Sequence, residues 1–460
     1  MAALSARSAA RRALHAMRRA VTAARAAAAA TTRAATVTAA LALGGLMLPA
    51  SASAQQTVTM WTFLNPSADS PRDQALKRII AGFEAANPGI RIRVESQVWF
   101  TLAEKFVMAH RSRSAPDIGW VNGENMGLLL NSGVAADLGP LITDRWTDAQ
   151  RADLVLPQAY AWLKKDGKQH AVPVMALSLV LFYRRDLFER AGIDPASVRT
   201  WDDYAAAVGK IQALKPAAGE FWGAGLHLST DKTTMSFAAN ALIGAQGGKL
   251  FGPDCKPLLA NPDGIRAIEM QADLIRKHRV ASPESFAYTL DDVIDQFIAG
   301  KVATASSGNG RYGNVQQKAA WDVRALDILP WPSFDAKKPG PQLMSGWFAA
   351  ISRDSRHKDA AAKFVAYMTG PEGMALWTEP GGQVPLFRSV FERPEFKDAR
   401  YDYLRKLARL WADSEVWLPA ECNASRTFVD LNTATQRVIL GKVPALDALR
   451  EAEAATRARQ

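Results

Sequence analysis

The sequence predicts an α/β protein built as two domains, and three observations carry that prediction. Strand-, helix- and strand-compatible segments follow one another between Val58 and Val94, a βαβ unit that implies a parallel sheet covered by helices. About 406 residues follow a removable N-terminal segment, more than one hydrophobic core ordinarily serves. No low-complexity linker and no internal repeat divides them, so two bodies joined by short, ordered crossings are expected.

Each element has a local reason. Val58-Thr59-Met60-Trp61-Thr62-Phe63 alternates and is rich in β-formers, so it reads as the first strand. Asn65-Pro66-Ser67 breaks it. Leu76, Ile79, Ile80 and Phe83 then recur at helical spacing within a helix from about Pro71 to Ala86, which Asn87-Pro88-Gly89 stops. Ile90 to Val94 alternates with period two, a second strand. Pro116 to Val121 is a short strand, followed by a loop, helix-compatible Met126–Asn131 and Gly133. Ala171–Val174 and Leu177–Tyr183 read as two further strands, and Lys301–Ala305 as another. Helices are expected near 201–214, 232–245, 262–278, 289–299, 358–368 and 371–377, the first ending at Pro216. Residues 426–455 read as two helices split at Gly441–Pro444.

The N-terminal segment is a targeting signal. Residues 1–54 hold seven Arg and no Asp, Glu or Lys; the apolar run Val37–Leu48 follows, then Pro49 and Ala50-Ser51-Ala52-Ser53-Ala54. A basic start, a short apolar core and an Ala-x-Ala site make a secretory signal peptide with cleavage expected after Ala54. The run is too short for a membrane span of about 20 residues. Met17, followed by Arg18-Arg19, is an alternative start, and the twin arginine hints at the Tat route. No Cys stands at the cleavage point, so no lipid anchor is expected, and the mature chain should be free in a Gram-negative periplasm.

The leader also explains the charge. The whole chain carries 56 basic and 45 acidic residues; without the leader 49 basic residues face the same 45, a net of +4. Nucleic-acid binding, which needs clustered positive charge, gains nothing from that balance. Cys255 and Cys422 lie in a compartment that permits a disulfide, but their pairing stays open at this level. The six His show no metal-ligand spacing, and no metal or cofactor is expected. Gly244–Gly252 lacks the ending of a phosphate loop, no Gly-x-Ser-x-Gly elbow is present, and Asn423-Ala424-Ser425 matches a glycosylation acceptor by chance.

Several segments in fixed order resemble a known family. They include Phe83-Glu84-Ala85-Ala86-Asn87-Pro88-Gly89-Ile90, Ala115-Pro116-Asp117-Ile118 running to Ser132-Gly133-Val134, and Tyr183-Arg184-Arg185-Asp186-Leu187-Phe188. Thr200-Trp201-Asp202-Asp203-Tyr204, Gly247-Gly248-Lys249-Leu250-Phe251, Phe297 to Ala303, Gly346-Trp347 with Ala360 to Phe364, and Val384 to Val390 complete the series. Together they resemble the extracellular sugar-binding proteins of ABC importers, the group like the maltose-binding protein. The resemblance implies a two-lobed periplasmic-binding-protein fold with the ligand between the lobes. It places lobe one at 55–170 plus 330–378 and lobe two at 173–327 plus 386–460. Hinge crossings would fall near 171–172, 328–329 and 379–385. It implies a monomer that binds a small molecule, delivers it to inner-membrane permease subunits, and engages no nucleic acid.

A sugar site needs aromatic platforms for C–H faces and planar groups for hydroxyls. Trp347 after Gly346, and Tyr312 in Asn309-Gly310-Arg311-Tyr312, match family positions that face the cleft. Phe63 and Asn65 end the first strand, where α/β sheets place ligand-contacting loops. Asn65 is equally a turn residue before Pro66. Glu124 falls where relatives place a sugar-binding carboxylate, against the reading of a solvated loop acid. Met175 replaces a ligand-binding glutamate of the maltose binders and argues against maltodextrin. Phe428 and Arg426 match a C-terminal stacking region, or simply start a helix. Trp99 and Phe100 read as helix-start packing. A non-sugar solute is the alternative, whether glycerophosphodiester, polyol, organic acid or polyamine, and Arg311 or Arg426 would suit an anion among these. A secreted glycoside hydrolase would need two carboxylates across the bond, and Glu124 has no sequence-evident partner.

Overall fold

The computed structural model describes residues 55–460 apart from 215–218, 232–235, 248, 339, 341, 382, 414–415, 418–421, 423 and 460. The expected signal peptide therefore lies outside the described residues, as do Gly248, Gly382 of the third crossing and Asn423.

Strand β1 (Gln56–Thr62) runs parallel to β2 (Ile90–Ser96), with Met60 opposite Val94, and to β3 (Ile118–Asn122). Helix α1 (Pro71–Ala86) makes the first crossover. Ser70 caps it by accepting the Asp73 N–H, Pro71 occupies the first turn, and Leu76, Ile79 and Phe83 are buried against the sheet. Helix α2 (Leu102–Arg111) returns the chain to β3.

The centre of the fold is a strand longer than expected. Ala171–Val174 and Leu177–Tyr183 do not form two strands; they are one, β4 (Val172–Arg184), buried along nearly all its length. Met175 and Ala176 between them break nothing, so the apolar run continues. Strand β5 (Trp222–Gly225), β6 (Val302–Gly308), β7 (Leu326–Leu329) and β8 (Gln342–Ile351) follow. The sheet order is β2-β1-β3-β8-β4-β6-β5, with β7 also on β4. Residues Val172–Ser178 of β4 pair antiparallel with β8, and Leu179–Tyr183 pair with β6. In the sheet, β1 to β3 and β8 thus lie to one side of β4 and β5 and β6 to the other, with β7 also on β4. The change of partner along β4 falls at Ser178/Leu179, inside a strand.

The β4–β8 ladder shifts register between Trp347 and Phe348, so Val174 faces no partner between Met175 and Pro173. Such a bulge re-aims side chains and tolerates a proline. Gly346, at φ +150°, sits just before it; a Cβ there would meet the Met175 carbonyl oxygen at 2.1 Å. Only glycine lets the two strands approach so closely.

Away from the sheet, α7 (Pro262–Arg276) packs against the C-terminal pair α13 (Ala424–Ile439) and α14 (Ala445–Arg457). Gly441, at φ +67°, makes the expected break between the last two. Glu453 accepts the Leu259 and Ala260 N–H groups at 2.8 and 3.0 Å. Cys255 and Cys422 form a disulfide, resolving the pairing that sequence left open.

Candidate ligand-binding cleft

A cavity of about 350 Å³ is bounded by residues from both halves of the sheet. From the β1–β3 side come Phe63, Arg72, Asp73, Trp99, Asn122 and Glu124, and β8 contributes Trp347. From the β6 side come Arg311 and Asn314, joined by Asp291. The site lies where strand ends and helix starts of an α/β sheet converge, the usual ligand position for such folds.

Trp347 packs against other rings. Its ring centroid lies 4.5 Å from Phe63 and 6.4 Å from Trp120, and Trp120 is in turn 6.1 Å from Trp377. The indole is 6% exposed, but it lines the cavity. Pairing of β8 with β3 sets Trp347 opposite Asn122. The Asn122 amide donates to Glu124 Oε2 at 2.9 Å and accepts from Asn125 at 2.9 Å. Glu124 is therefore not a solvated loop acid; it is buried in the short helical turn Gly123–Asn125 and faces the cavity.

The charged groups are unequally partnered. Asp73 accepts the Asn65 N–H at 2.8 Å and the Ser70 hydroxyl at 2.5 Å. Asp291, in the first turn of α8 (Leu290–Ile298), accepts from the Arg311 guanidinium. The Arg72 guanidinium carbon lies 5.3 Å from the Phe63 ring centroid. Its Nε is buried without a hydrogen-bond partner. Burial first, and then the charge of Arg311, lowers its pKa to about 10, against the opposing pull of Asp73 and Asp291.

The other expected residues stand elsewhere. Tyr312 does not face the cavity. It opens α9 (Tyr312–Lys318) with its ring stacked on Tyr403 at 3.4 Å and 8°, and Phe182 is 6.1 Å away. Burial among these rings holds its phenol pKa above the usual value. Asn309 is buried, its Oδ1 accepting the Ser178 N–H at 2.7 Å, so it braces β4 where that strand changes partner. Asn65 is a turn residue: its Oδ1 accepts the Ser67 N–H at 3.0 Å. Met175 and Phe428 are core residues, 1% exposed each. Arg426 is exposed and ion-paired with Glu104 at 3.5 Å. Trp99 does start a short helix, as expected, but it also lines the cavity, whereas Phe100 is exposed.

Sequence reasoning missed Arg72, Asp73, Asp291 and Asn314. The rule that directed attention to Phe63 and Asn65 extends to the first turn of the following helix, where Arg72 and Asp73 sit. Among the described residues no group of three or more His, Cys, Asp or Glu is placed to hold a metal ion, and no described helix is long and apolar enough to cross a membrane.

The fold and cleft define a two-lobed solute-binding architecture. The bacterial extracellular solute-binding protein family model matches residues 67–375, and the chain belongs to that family. A binding protein of Brucella abortus (strain 2308) is 23% identical over 373 residues, spanning 79% of this chain and 83% of its own. The sn-glycerol-3-phosphate-binding periplasmic protein of Escherichia coli (strain K12) is 23% identical over 368 residues, spanning 77% and 79%. Maltose-bound MalE3 of T. maritima superposes with a TM-score of 0.74 at 18% identity, covering 88% of this chain and all of that one, a likeness of fold.

Proposed function

We propose that this chain captures a carbohydrate in the periplasm and delivers it to the permease subunits of an ABC importer, without chemical turnover. The observation that carries the reading is the cavity wall. Aromatic faces of Trp347, Phe63 and Trp99 stand beside planar polar groups of Glu124, Asn122 and Arg311, the combination a ring of C–H faces and hydroxyl edges requires. The lobes are taken as 55–170 plus 330–378 and 173–327 plus 386–460, hinged near 171–172, 328–329 and 379–385. The partner change within β4 supports a hinge made partly of continuous strand. Ligand then favours closure through the contacts it gains there, as in the hinge motion of periplasmic binding proteins.

Two features of the site support binding over hydrolysis. A glycosidase needs one carboxyl free to donate a proton and a second to attack or activate water. Asp73 and Asp291 now supply carboxylates near Glu124 that the sequence did not reveal, but Asp73 is occupied by Asn65 and Ser70, and Asp291 by Arg311. The mature protein is expected to act as a monomer and to bind no nucleic acid. Calorimetry against mono- and disaccharides should give one site per chain, with the sugar recovered unchanged by chromatography. Release of cleaved sugar would move the hydrolase reading to first place.

A further inference from the structure

We infer that the ligand carries an anionic group, a carboxylate or phosphoryl, which the Arg72 and Arg311 guanidiniums receive together. This inference rests on the reading of the cavity as the ligand site. Both side chains line that cavity, one entering from the helix after β1 and the other from the turn after β6. Two like charges in a confined, partly dry space repel, and a buried charge is costly unless paired.

The residents of the cavity leave that cost standing on Arg72. Asp73 gives its oxygens to Asn65 and Ser70, and Asp291 receives Arg311. Asn122 donates to Glu124. Arg72 has the Phe63 face on one side and a buried Nε with no acceptor. The charge of Arg311 acts on it more strongly than either aspartate does. An oxyanion between the two guanidiniums answers each of these at once: it supplies the missing acceptor, screens the repulsion, and suits the planar fork of arginine. A neutral sugar hydroxyl supplies an acceptor without the charge. With Trp347 and Phe63 alongside, the class of ligand is a hydroxylated body with one acidic end, either an acidic sugar or a polyol phosphate.

Matched pairs separate the sources. Titrate the mature protein with D-glucuronate and D-glucose, and with glycerol 3-phosphate and glycerol, adding maltose as a larger neutral sugar. One acid should bind at least about tenfold tighter than its neutral partner, the worth of a charge-assisted hydrogen bond. Which acid does so identifies carboxylate or phosphoryl. Arg72→Gln and Arg311→Gln should each erase that preference, and Arg72→Lys, which keeps the charge and loses the fork, should retain part of it. An unchanged circular dichroism spectrum and melting profile will show that the variants fold. Neutral sugars binding as tightly as the acids, or a preference that survives both Gln variants, overturns the inference and leaves solute binding intact. Failure of all five probes to bind the folded protein counts against both readings.

Discussion

Two aromatic groupings flank the β4–β8 pair, and exposure does not distinguish them: Trp347 is 6% exposed and Tyr312 7%. What separates them is the cavity, which Trp347 lines and Tyr312 does not. Trp347 packs against Phe63 and Trp120 and also lines the cavity, on a strand that carries a glycine and a register shift at that point. Tyr312 begins a helix and is covered by Tyr403 and Phe182. In the proposed reading, a buried aromatic that lines a cavity serves as a binding platform. The same side chain, fully flanked, is a strut.

That contrast is broken most directly by truncating each ring. Tyr312→Ala should cost about 3–5 kcal/mol of stability, the range for large-to-small substitution of a packed aromatic, with ligand affinity within about twofold of wild type. Trp347→Ala should do the reverse. Its loss of a stacking face should weaken binding by about tenfold to a hundredfold, and its melting temperature should fall less than that of Tyr312→Ala. Denaturant melts and calorimetry on both variants check the pair. If Tyr312→Ala loses affinity as steeply as Trp347→Ala, the two regions are one site and the distinction fails.

The parts of this arrangement that were legible in the sequence are those with a local signature. Period-two and period-3.6 patterns give α1 to the residue and β1 and β2 to within two, and the Gly346-Trp347 pair marks a residue that lines the cavity. Arg72 was invisible because an arginine in the first turn of an amphipathic helix reads as a solvated face. Its significance appears only when Arg311, some 240 residues later in the chain, is brought beside the same cavity. Tyr312 misled for the complementary reason: an aromatic after a strand and turn matches a cleft position, but its burying partner Tyr403 is contributed by a distant helix, α12 (Asp402–Asp413). The two strands expected at Ala171–Val174 and Leu177–Tyr183 are one in the structure, because Met175 and Ala176 continue the apolar run.

The disulfide sharpens the comparison because it acts on the segment between the two groupings. Cys422 follows α12, which carries Tyr403, and strand β9 (Val416–Trp417), which pairs with Gln342 and Leu343 at the start of β8. Closing a 167-residue separation restricts the unfolded chain, so replacing both cysteines with alanine should cost about 2–4 kcal/mol. Affinity should change less than it does in Trp347→Ala, since neither cysteine lines the cavity. The melting curve of the double variant, with and without a saturating ligand, tests this. A loss of binding larger than the loss of stability would mean that β9 positions the Trp347 strand.

The smallest effect expected is a pH dependence in which the strut takes part. Burial raises the phenol pKa values of Tyr312 and Tyr403 above the usual value near 10, first by desolvation and then through nearby negative charge, Asp327 for Tyr312. In the unfolded chain these phenols ionise near pH 10, whereas in the fold they stay protonated to higher pH. Between those limits the folded state binds more protons, so their contribution is fully present below about pH 10 and is lost as pH rises toward the folded pKa. Tyr160 and Tyr204, also raised by burial, contribute in the same direction. Tyr312→Phe keeps the stack and removes one of these protons, so its stability should fall less steeply than wild type above pH 10 and match it closely at pH 7. Urea melts at pH 7, 9, 10 and 11 read the slope directly. Parallel curves for the two proteins would show that the Tyr312 hydroxyl is open to solvent, and the ring would then have to be reassigned from strut to cleft wall.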